Sequence, residues 1–460
     1  MIKKQFVSYS IVIFVIAMVA EQLDYANHWI SPYLLFYISL SVSLWYILQY
    51  RIRHLLSFDI LFLLIYNLIS FYNLIVDEAD LNRLYFSFSN PTMYKTYIVS
   101  LLGLLAYILG SLVSDNIYSY RKNKTIIPES KKHYANIDKA SSIMPYITLL
   151  YIIYLFITGQ YVILFKYTNA SQVDAANTVI VYSTILIFAT SVFEFIRLKQ
   201  MHISTLFGFM KHVNRLYLLL LVGLTLLLFF TGNRNESLFI IIPAIVLYDA
   251  YIRNITNRIF ILGCIFGIVL MVLVGLTRQG DSSINQSISS LSTVDFVRDF
   301  SSAGLSNMYL IDLADHGLMD YGLNGIISLL SSVPFLGGFV VNLFDLQTLP
   351  RTALLTTNGM MGAHEIGGMG TGLVGDMYFT GKIFFVLIWM FFLGYVLSKI
   401  YHKIYGEKNV NVYMMILYAF MISDSIYYVR SEWYTPFRYI GFTALISYIF
   451  LNIEFKRKKV

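Results

Sequence analysis

Six arginines lie at or between the ends of apolar segments, where a guanidinium group could bind phosphate: Arg234, Arg278, Arg298, Arg351, Arg430 and Arg438. Guanidinium binds phosphate oxygens in a bidentate, charge-assisted geometry that lysine cannot reproduce. Arg234 belongs to the polar turn 231–237, in which Asn235 or Ser237 could cap the following helix beside a bound anion. A solvated turn with an ion pair between Arg234 and Glu236 is the alternative interpretation.

A glycine-rich segment combines candidate acid–base groups with a flexible backbone. Ten residues lie between Arg351 and the first of a set of candidate groups. This set comprises Gly362, His364, Glu365, the glycine-rich run 367–372 and Asp376. Glycines allow a backbone to approach a sugar or a phosphate, although glycine-rich membrane segments also serve close helix packing. An imidazole or a carboxylate could take the proton of a sugar hydroxyl during glycosyl transfer. The residue types leave the base open between His364, Glu365 and Asp376.

The sequence predicts no metal ion and no other cofactor. The acidic run 77–80 could bind Mg²⁺ or Mn²⁺ through carboxylate oxygens, but a solvated acidic turn is the default interpretation. None of the histidines has a second histidine four residues away, as a helical zinc site would require. Cys264 is the single cysteine, which excludes an intrachain disulfide.

Membrane helices must position these groups. Of the 460 residues, 57% are hydrophobic and 13% are charged, whereas about a quarter of the residues of a soluble protein are charged. This composition excludes the soluble enzyme classes. The apolar runs are continuous instead of alternating, which predicts an all-α polytopic membrane protein with a single integral membrane domain over 1–460.

About twelve apolar runs predict transmembrane helices, at 6–20, 30–50, 58–76, 95–114, 143–165, 179–196, 216–231, 237–251, 259–276, 382–398, 413–428 and 436–453. Most of the 33 lysines and arginines fall on one side of this arrangement. By the positive-inside rule, both termini and the polar loop 115–142 are therefore cytoplasmic. Because topology accounts for the basic excess, we expect no nucleic acid as a partner.

The largest segment between spans, 277–381, falls on the outer side, and its length indicates a functional loop. Within it, 323–344 is apolar but is interrupted by proline and glycines, which predicts a re-entrant or interfacial helix pair. The amphipathic segment 295–316 predicts a helix lying at the membrane interface. Arg430 follows the penultimate span, in which Asp424 could neutralise it as an ion pair.

In this combination of features the chain resembles the O-antigen polymerases, the Wzy-type oligosaccharide repeat unit polymerases of bacterial surface polysaccharide assembly. The matching features are the Thr-Gly-Asn-Arg turn at 231–234, the long outer loop, the segment 375–381 that runs into a helix, and Arg430 at the outer end of the penultimate span. Arg351 and Gly362 also match the family's spacing of ten residues between an arginine and a glycine.

The resemblance implies a glycosyltransferase in the bacterial cytoplasmic (inner) membrane, with its active site facing the exterior. It would join oligosaccharide repeat units linked to undecaprenyl diphosphate into O-antigen of lipopolysaccharide or into capsule. Membrane lipids and a chain-length regulator protein would be its other partners. The implied catalytic residues are Arg234, Arg351, Arg430, His364, Glu365 and Asp376. Arg278, Arg298, Arg438 and Gly362 would bind diphosphate or glycan, and no metal would be needed.

Two other functions remain as alternatives. One is a flippase or transporter of the lipid-linked oligosaccharide, although a two-repeat transporter would place its long connector centrally. The other is a metal-dependent transferase that uses a polyprenyl-phosphate sugar and the acidic run 77–80. The sequence does not specify the sugars, the linkage, or whether the product is O-antigen or capsule.

Overall fold

The computed structural model describes residue 15 and residues 31–51, 54–71, 89–122, 136–160, 173–230, 234–265, 267, 303–330, 336–344, 351–361, 370–407 and 411–452. Helices make up most of these residues, and no strand occurs among them. The prediction of an all-α chain is therefore confirmed for the described part of the protein.

Fifteen helices have defined bounds: α1 Pro32–Tyr46, α2 Phe58–Ser70, α3 Asn90–Lys122, α4 Ile137–Ile157, α5 Val173–Gln200, α6 Leu206–His212, α7 Arg215–Phe230, α8 Arg234–Tyr251, α9 Ala303–Asp315, α10 Leu323–Leu330, α11 Leu336–Leu343, α12 Thr352–Met361, α13 Leu373–His402, α14 Val412–Tyr428 and α15 Thr435–Asn452. Short π-helical turns at Ile47–Arg51 and Lys403–Glu407 extend α1 and α13.

Among the described residues, five helical segments are long and apolar enough to cross a membrane: Pro32–Arg51, Pro91–Tyr118, Ile137–Ile157, Val179–Gln200 and Leu373–Tyr405. A sixth is counted if the bent pair of α6 and α7 forms one span. Apolar side chains on α4 and α7, including Leu150, Ile157 and Leu219, are exposed, as expected of a face that contacts lipid. The chain is thus a membrane protein by its helices, and the number of twelve spans stays a prediction. The predicted span 6–20 lies outside the described residues apart from residue 15.

The structure gives helix bounds in three segments for which the sequence made predictions. The predicted polar loop 115–142 is helical at both ends, because α3 continues to Lys122 and α4 begins at Ile137. A location of the segment 295–316 at the membrane interface stays a prediction. Within this segment α9 begins at Ala303 and is buried on most of its surface. It packs against α2, α3, α12 and α13, which explains the burial. The predicted helix pair in 323–344 corresponds to α10 and α11, which contact each other.

The helix α13 consists of two helices that meet at a kink. Gly381 and Lys382 have non-helical backbone angles, and Lys382 adopts the left-handed conformation with φ of 52°. The kink separates a short helical segment, which carries Asp376, from the long segment that packs along α3. The long segment begins where the sequence predicts the span 382–398.

Glycines allow α3 and α13 to approach until their backbones touch. A Cβ atom added at Gly110 would overlap the carbonyl oxygen of Phe391, and one added at Gly394 would overlap that of Tyr107. Ser111 donates a hydrogen bond across the same contact to the Gly394 carbonyl oxygen, at 3.2 Å. The hydrophobic effect does not drive helix association in lipid. Small residues at such contacts instead allow the close packing that holds membrane helices together.

A buried ion network holds the opposite end of α13, which we call the Arg51 end of the bundle. The side chain of Arg51 is 1% exposed, and its Nε lies 2.8 Å from Asp59 while its Nη2 lies 3.2 Å from Asp115. Ser398 accepts a third hydrogen bond from the guanidinium at 2.9 Å. His402 Nε2 lies 2.6 Å from the Asp115 carboxylate. The network therefore joins α1, α2, α3 and α13.

The glycine contacts predict a steric effect of single methyl groups. We expect Gly110→Ala and Gly394→Ala each to lower the free energy of unfolding by about 1–3 kcal/mol, because the added Cβ forces the two backbones apart. Unfolding in mixed micelles with increasing SDS measures this change. Gly223→Ala is the matched control, since a Cβ there meets open space. Equal stability of all three variants would contradict the close packing.

The ion network predicts a large cost for removing its cation. Arg51→Met should destabilise the protein by about 3–5 kcal/mol, because Asp59 and Asp115 lose the cation that they share in a buried site. The same denaturation measurement applies, with Arg215→Met at an exposed position as control. Adding Asp59→Asn and Asp115→Asn to Arg51→Met should restore part of the stability. A triple variant no more stable than Arg51→Met would argue against electrostatic coupling.

Candidate functional site

The start of α13 meets four other segments, and we call this region the Asp376 end of the bundle. These segments are the starts of α12 and α15, the helix α9, and the turn 429–434 between α14 and α15. Within α13, a helix of about 20 residues, or roughly 30 Å, separates this region from the Arg51 end.

Glycines near the start of α13 serve close packing. Cβ atoms added at Gly372 or Gly375 would overlap Asn307 of α9. The Asn307 side chain also accepts a hydrogen bond from the Gly375 amide at 2.7 Å, and the Leu373 amide donates to the Val429 carbonyl at 3.1 Å. The sequence left two interpretations of the glycines open, free amides for an anion or helix packing. For Gly372 and Gly375 the structure supports packing.

Asp376 connects three segments through its carboxylate. Its Oδ1 accepts a hydrogen bond from the Thr352 hydroxyl at 2.6 Å, and its Oδ2 accepts one from the Trp433 backbone amide at 2.8 Å. The residue is 1% exposed. Because both oxygens are engaged and buried, Asp376 is poorly placed to take a proton from a substrate. The contacts fit a positioning role for Asp376, and its role as a catalytic base stays a prediction.

Two further carboxyl groups lie in the same region. Glu432 accepts a hydrogen bond from the Thr435 hydroxyl at 3.2 Å, while its Oε1 is buried and has no hydrogen-bond partner in the described part of the chain. Burial raises the pKa of Glu432 above its usual range, against the opposing effect of the nearby Arg351 charge. Burial likewise raises the pKa of Asp320, which accepts a hydrogen bond from the Gly322 amide. Both acids therefore favour the neutral form more than exposed acids do.

Four of the predicted arginines lie at the Asp376 end. Arg351 is exposed directly before α12, and Arg430 lies in the turn 429–434. The charges of Arg351 and Arg438 both act on the Tyr439 hydroxyl, as does that of Glu236 in the first turn of α8. Arg234 begins that helix, although the structure describes only its backbone.

Aromatic side chains surround the turn 429–434. The Trp433 ring lies 4.7 Å from the Trp389 ring and 5.1 Å from the Phe385 ring between centroids. Its indole nitrogen donates to Thr380 at 3.1 Å, and a Cβ atom added at Gly325 of α10 would overlap the indole. The glycine at 325 thus lets α10 cover Trp433 and close this side of the site.

Several predicted site residues cannot be placed. Gly362, His364 and Glu365 lie outside the described residues, as do Arg278, Arg298 and the acidic run 77–80. The alternative interpretation of Arg430, an ion pair with Asp424, is not found among the described residues. Neither carboxylate oxygen of Asp424 has a hydrogen-bond partner within the described ranges, and the residue is 1% exposed.

The sequence interpretation missed Glu432, Asp320, Thr352 and Trp433. An acid next to an arginine in a short turn between two apolar helices was a usable signal for Glu432. Thr352 and Trp433 act through a hydroxyl and a backbone amide on Asp376, a residue far away in sequence, and no local pattern reports such contacts. Asp320 lies in a short connection between helices, where an acid is ordinarily solvated.

The arrangement at the Asp376 end can bind anions and hold a proton. Arginines supply bidentate contacts, and a carboxyl group with a raised pKa keeps its proton to a higher pH than an exposed carboxyl group does. In the described ranges, no group of three His, Cys, Asp or Glu side chains could hold a metal ion.

The chain matches no protein-family model, no curated protein and no solved structure at a significant level.

The hydrogen bonds of Asp376 predict coupled losses of stability. Asp376→Asn presents an amide that cannot accept both existing bonds, and Thr352→Val removes the hydroxyl donor. Each substitution should cost about 1–3 kcal/mol, and the double variant should cost less than the two together because the bond is shared. Denaturation in SDS measures the three values.

The exposed substitutions Asp138→Asn and Thr158→Val are matched controls for this double-mutant cycle. They should leave stability within about 0.5 kcal/mol. Strict additivity of Asp376→Asn and Thr352→Val would show that the two side chains do not act on each other.

Proposed function

We propose that the chain is a glycosyltransferase that polymerises oligosaccharide repeat units linked to undecaprenyl diphosphate, at the outer face of a bacterial cytoplasmic membrane. The observation that carries the proposal is the location of Arg351, Arg430 and Arg438 at one end of the bundle, where Arg351 lies near the buried carboxyl of Glu432. The resemblance of the sequence to O-antigen polymerases supplies the substrate class. Both termini and the polar loop at 123–136 would then face the cytoplasm.

The charges at this end suit two diphosphate groups. A donor and an acceptor on lipid diphosphates together carry several negative charges into a poorly hydrated rim. Exposed Arg351 and half-buried Arg430 and Arg438 come from three separate segments, so they can contact oxygens from different directions. The Arg438 Nε is buried and lacks a hydrogen-bond partner in the described structure, which leaves a donor for a ligand.

The proposed reaction transfers the growing glycan from its lipid diphosphate to a hydroxyl of the incoming repeat unit. The hydroxyl oxygen forms a bond with the anomeric carbon, and the bond from that carbon to the diphosphate oxygen breaks. The proton passes from the hydroxyl to a base, and the electron pair leaves with the diphosphate. Arginines stabilise the leaving group as its charge develops.

The residues divide into three roles under this proposal. Arg351, Arg430 and Arg438, with Arg234 at the start of α8, bind diphosphate. Asp376 positions the starts of α12 and the turn 429–434, and the buried Glu432 restrains Arg351 electrostatically. The base remains to be chosen between His364 and Glu365. Gly362, Arg278 and Arg298 stay candidates for glycan or diphosphate binding.

The proposal predicts that each of these arginines is needed for chain extension. Arg351→Ala, Arg430→Ala and Arg438→Ala should each slow polymerisation by about tenfold to more than a hundredfold, since a charge-assisted hydrogen bond contributes about 1.5–3 kcal/mol. Lysine should restore little activity at these positions because it cannot form two-pronged contacts. Gel profiles of surface glycan from cells that carry each variant measure the chain length.

Arg215→Ala is the control for this experiment, since Arg215 is exposed at the start of α7 and outside the proposed site. Long glycan chains in all three alanine variants, at normal protein abundance, would remove these arginines from the active site.

The profile of a deletion strain separates the alternatives. Loss of a polymerase leaves single repeat units on the surface, whereas loss of a flippase leaves none. Activity of the purified protein that requires added Mg²⁺ or Mn²⁺ and is lost on Asp77 and Asp80 substitution would instead support the metal-dependent transferase.

A further inference from the structure

A cavity of about 260 Å³ opens at the Arg51 end, between the ends of α5, α8 and α13 and the start of α14. Its lining includes Lys199, Asp249, Tyr251, Arg253 and Asn254. A second cavity of about 650 Å³ shares Asn254 and is also lined by His54 and Arg258. The first cavity is smaller than the roughly 300–1,000 Å³ typical of drug-sized ligands, so it fits a small polar group.

The charges that line the first cavity favour an anion. Lys199 and Arg253 are both exposed, and the Lys199 ammonium lies 4.6 Å from the centroid of the Tyr251 ring. The acid in the lining, Asp249, is buried, and its two oxygens accept hydrogen bonds from the Ile255 amide and the Tyr405 hydroxyl. Both oxygens of Asp249 are thus occupied by donors of the protein, whereas the two cations are exposed.

The position of α6 indicates that the cavity lies at the level of the membrane interface. This helix is bent by 103° from α7, and Phe207 on its surface is 80% exposed. On its other face Phe209 packs against Tyr248, with 5.4 Å between ring centroids, and Tyr248 precedes Asp249 in the cavity lining. A short helix that runs across the end of a span, with apolar side chains outward, is typical of the boundary between head groups and acyl chains.

We infer that this cavity binds the phosphodiester head group of an anionic membrane phospholipid. Lys199 and Arg253 contact the phosphate, the amide of Asn254 reaches the glycerol of the head group, and the acyl chains lie along the exposed apolar face beside α6. Basic pockets between membrane helices on the cytoplasmic side bind acidic lipid head groups in this way. The charge pattern of the sequence predicts this end to be cytoplasmic. The inference stands independently of the proposed glycosyl transfer.

Thermal unfolding of the purified full-length protein in a neutral detergent tests the inference. A ligand that binds the folded state raises the unfolding temperature as its concentration increases. Added phosphatidylglycerol should raise the temperature, while phosphatidylcholine and a mixture of sodium phosphate and glycerol 1-phosphate should not. An equal shift with the soluble phosphates would identify a free phosphate site and overturn the lipid assignment.

Variants locate the binding to the cavity. Lys199→Ala combined with Arg253→Ala should weaken the apparent affinity for phosphatidylglycerol at least tenfold, because two charge-assisted contacts are lost. The control, Lys211→Ala with Arg215→Ala, removes the same charge at the same end outside the cavity and should change the affinity less than twofold. Unchanged affinity in the first pair, or an equal loss in both pairs, would overturn the inference.

Native mass spectrometry provides a second measurement that does not depend on unfolding. The wild-type protein should retain one phosphatidylglycerol molecule more than the Lys199→Ala, Arg253→Ala variant after mild activation. Equal numbers of retained lipids in the two proteins would contradict a specific site.

Discussion

Burial of the Arg51 guanidinium is the constraint on which the arrangement of the helices depends. A guanidinium cannot give up its proton in a protein, so the charge persists wherever the side chain is placed. Asp59 from α2 and Asp115 from α3 must therefore stay beside it, and Ser398 from α13 completes its contacts. A buried pair of this kind adds little net stability but makes every separation of its members expensive. The main effect of the network is thus to specify which helices pack against each other.

Two kinds of close contact carry this order to the other end of the bundle. Gly110 and Gly394 let α3 and α13 run with touching backbones, and Asn307 fits against Gly372 and Gly375 where α13 begins. The helix α13 is consequently held on both sides of its kink at Lys382, by α9 at the short segment that carries Asp376 and by α3 along the long segment. Because Asp376 binds α12 and the turn 429–434 through neutral donors, displacement of any one segment would move the arginines on the others.

The sequence predicted the helical class, most helix positions and the arginines at the Asp376 end, because hydropathy and charge are local properties. It misjudged the buried charges for the same reason. Arg51 and the nearby Arg53 have the sequence pattern of basic residues in an ordinary cytoplasmic loop. Asp115 lies where a polar loop was expected. Their partners lie up to hundreds of residues away in sequence, so only the packing of α3 on α13 reveals that these groups are paired. Asp424 shows the converse. Its proximity in sequence to Arg430 suggested an ion pair, which the described residues do not contain.

Arg51 and the arginines of the Asp376 end differ in how nearby carboxyl groups compensate their positive charge. At the Arg51 end two carboxylates lie directly on one guanidinium. At the Asp376 end burial raises the pKa of Glu432 and of Asp320, so these acids carry less negative charge than exposed acids do at the same pH. An approaching anion would therefore meet guanidinium charge that the surrounding acids offset less fully.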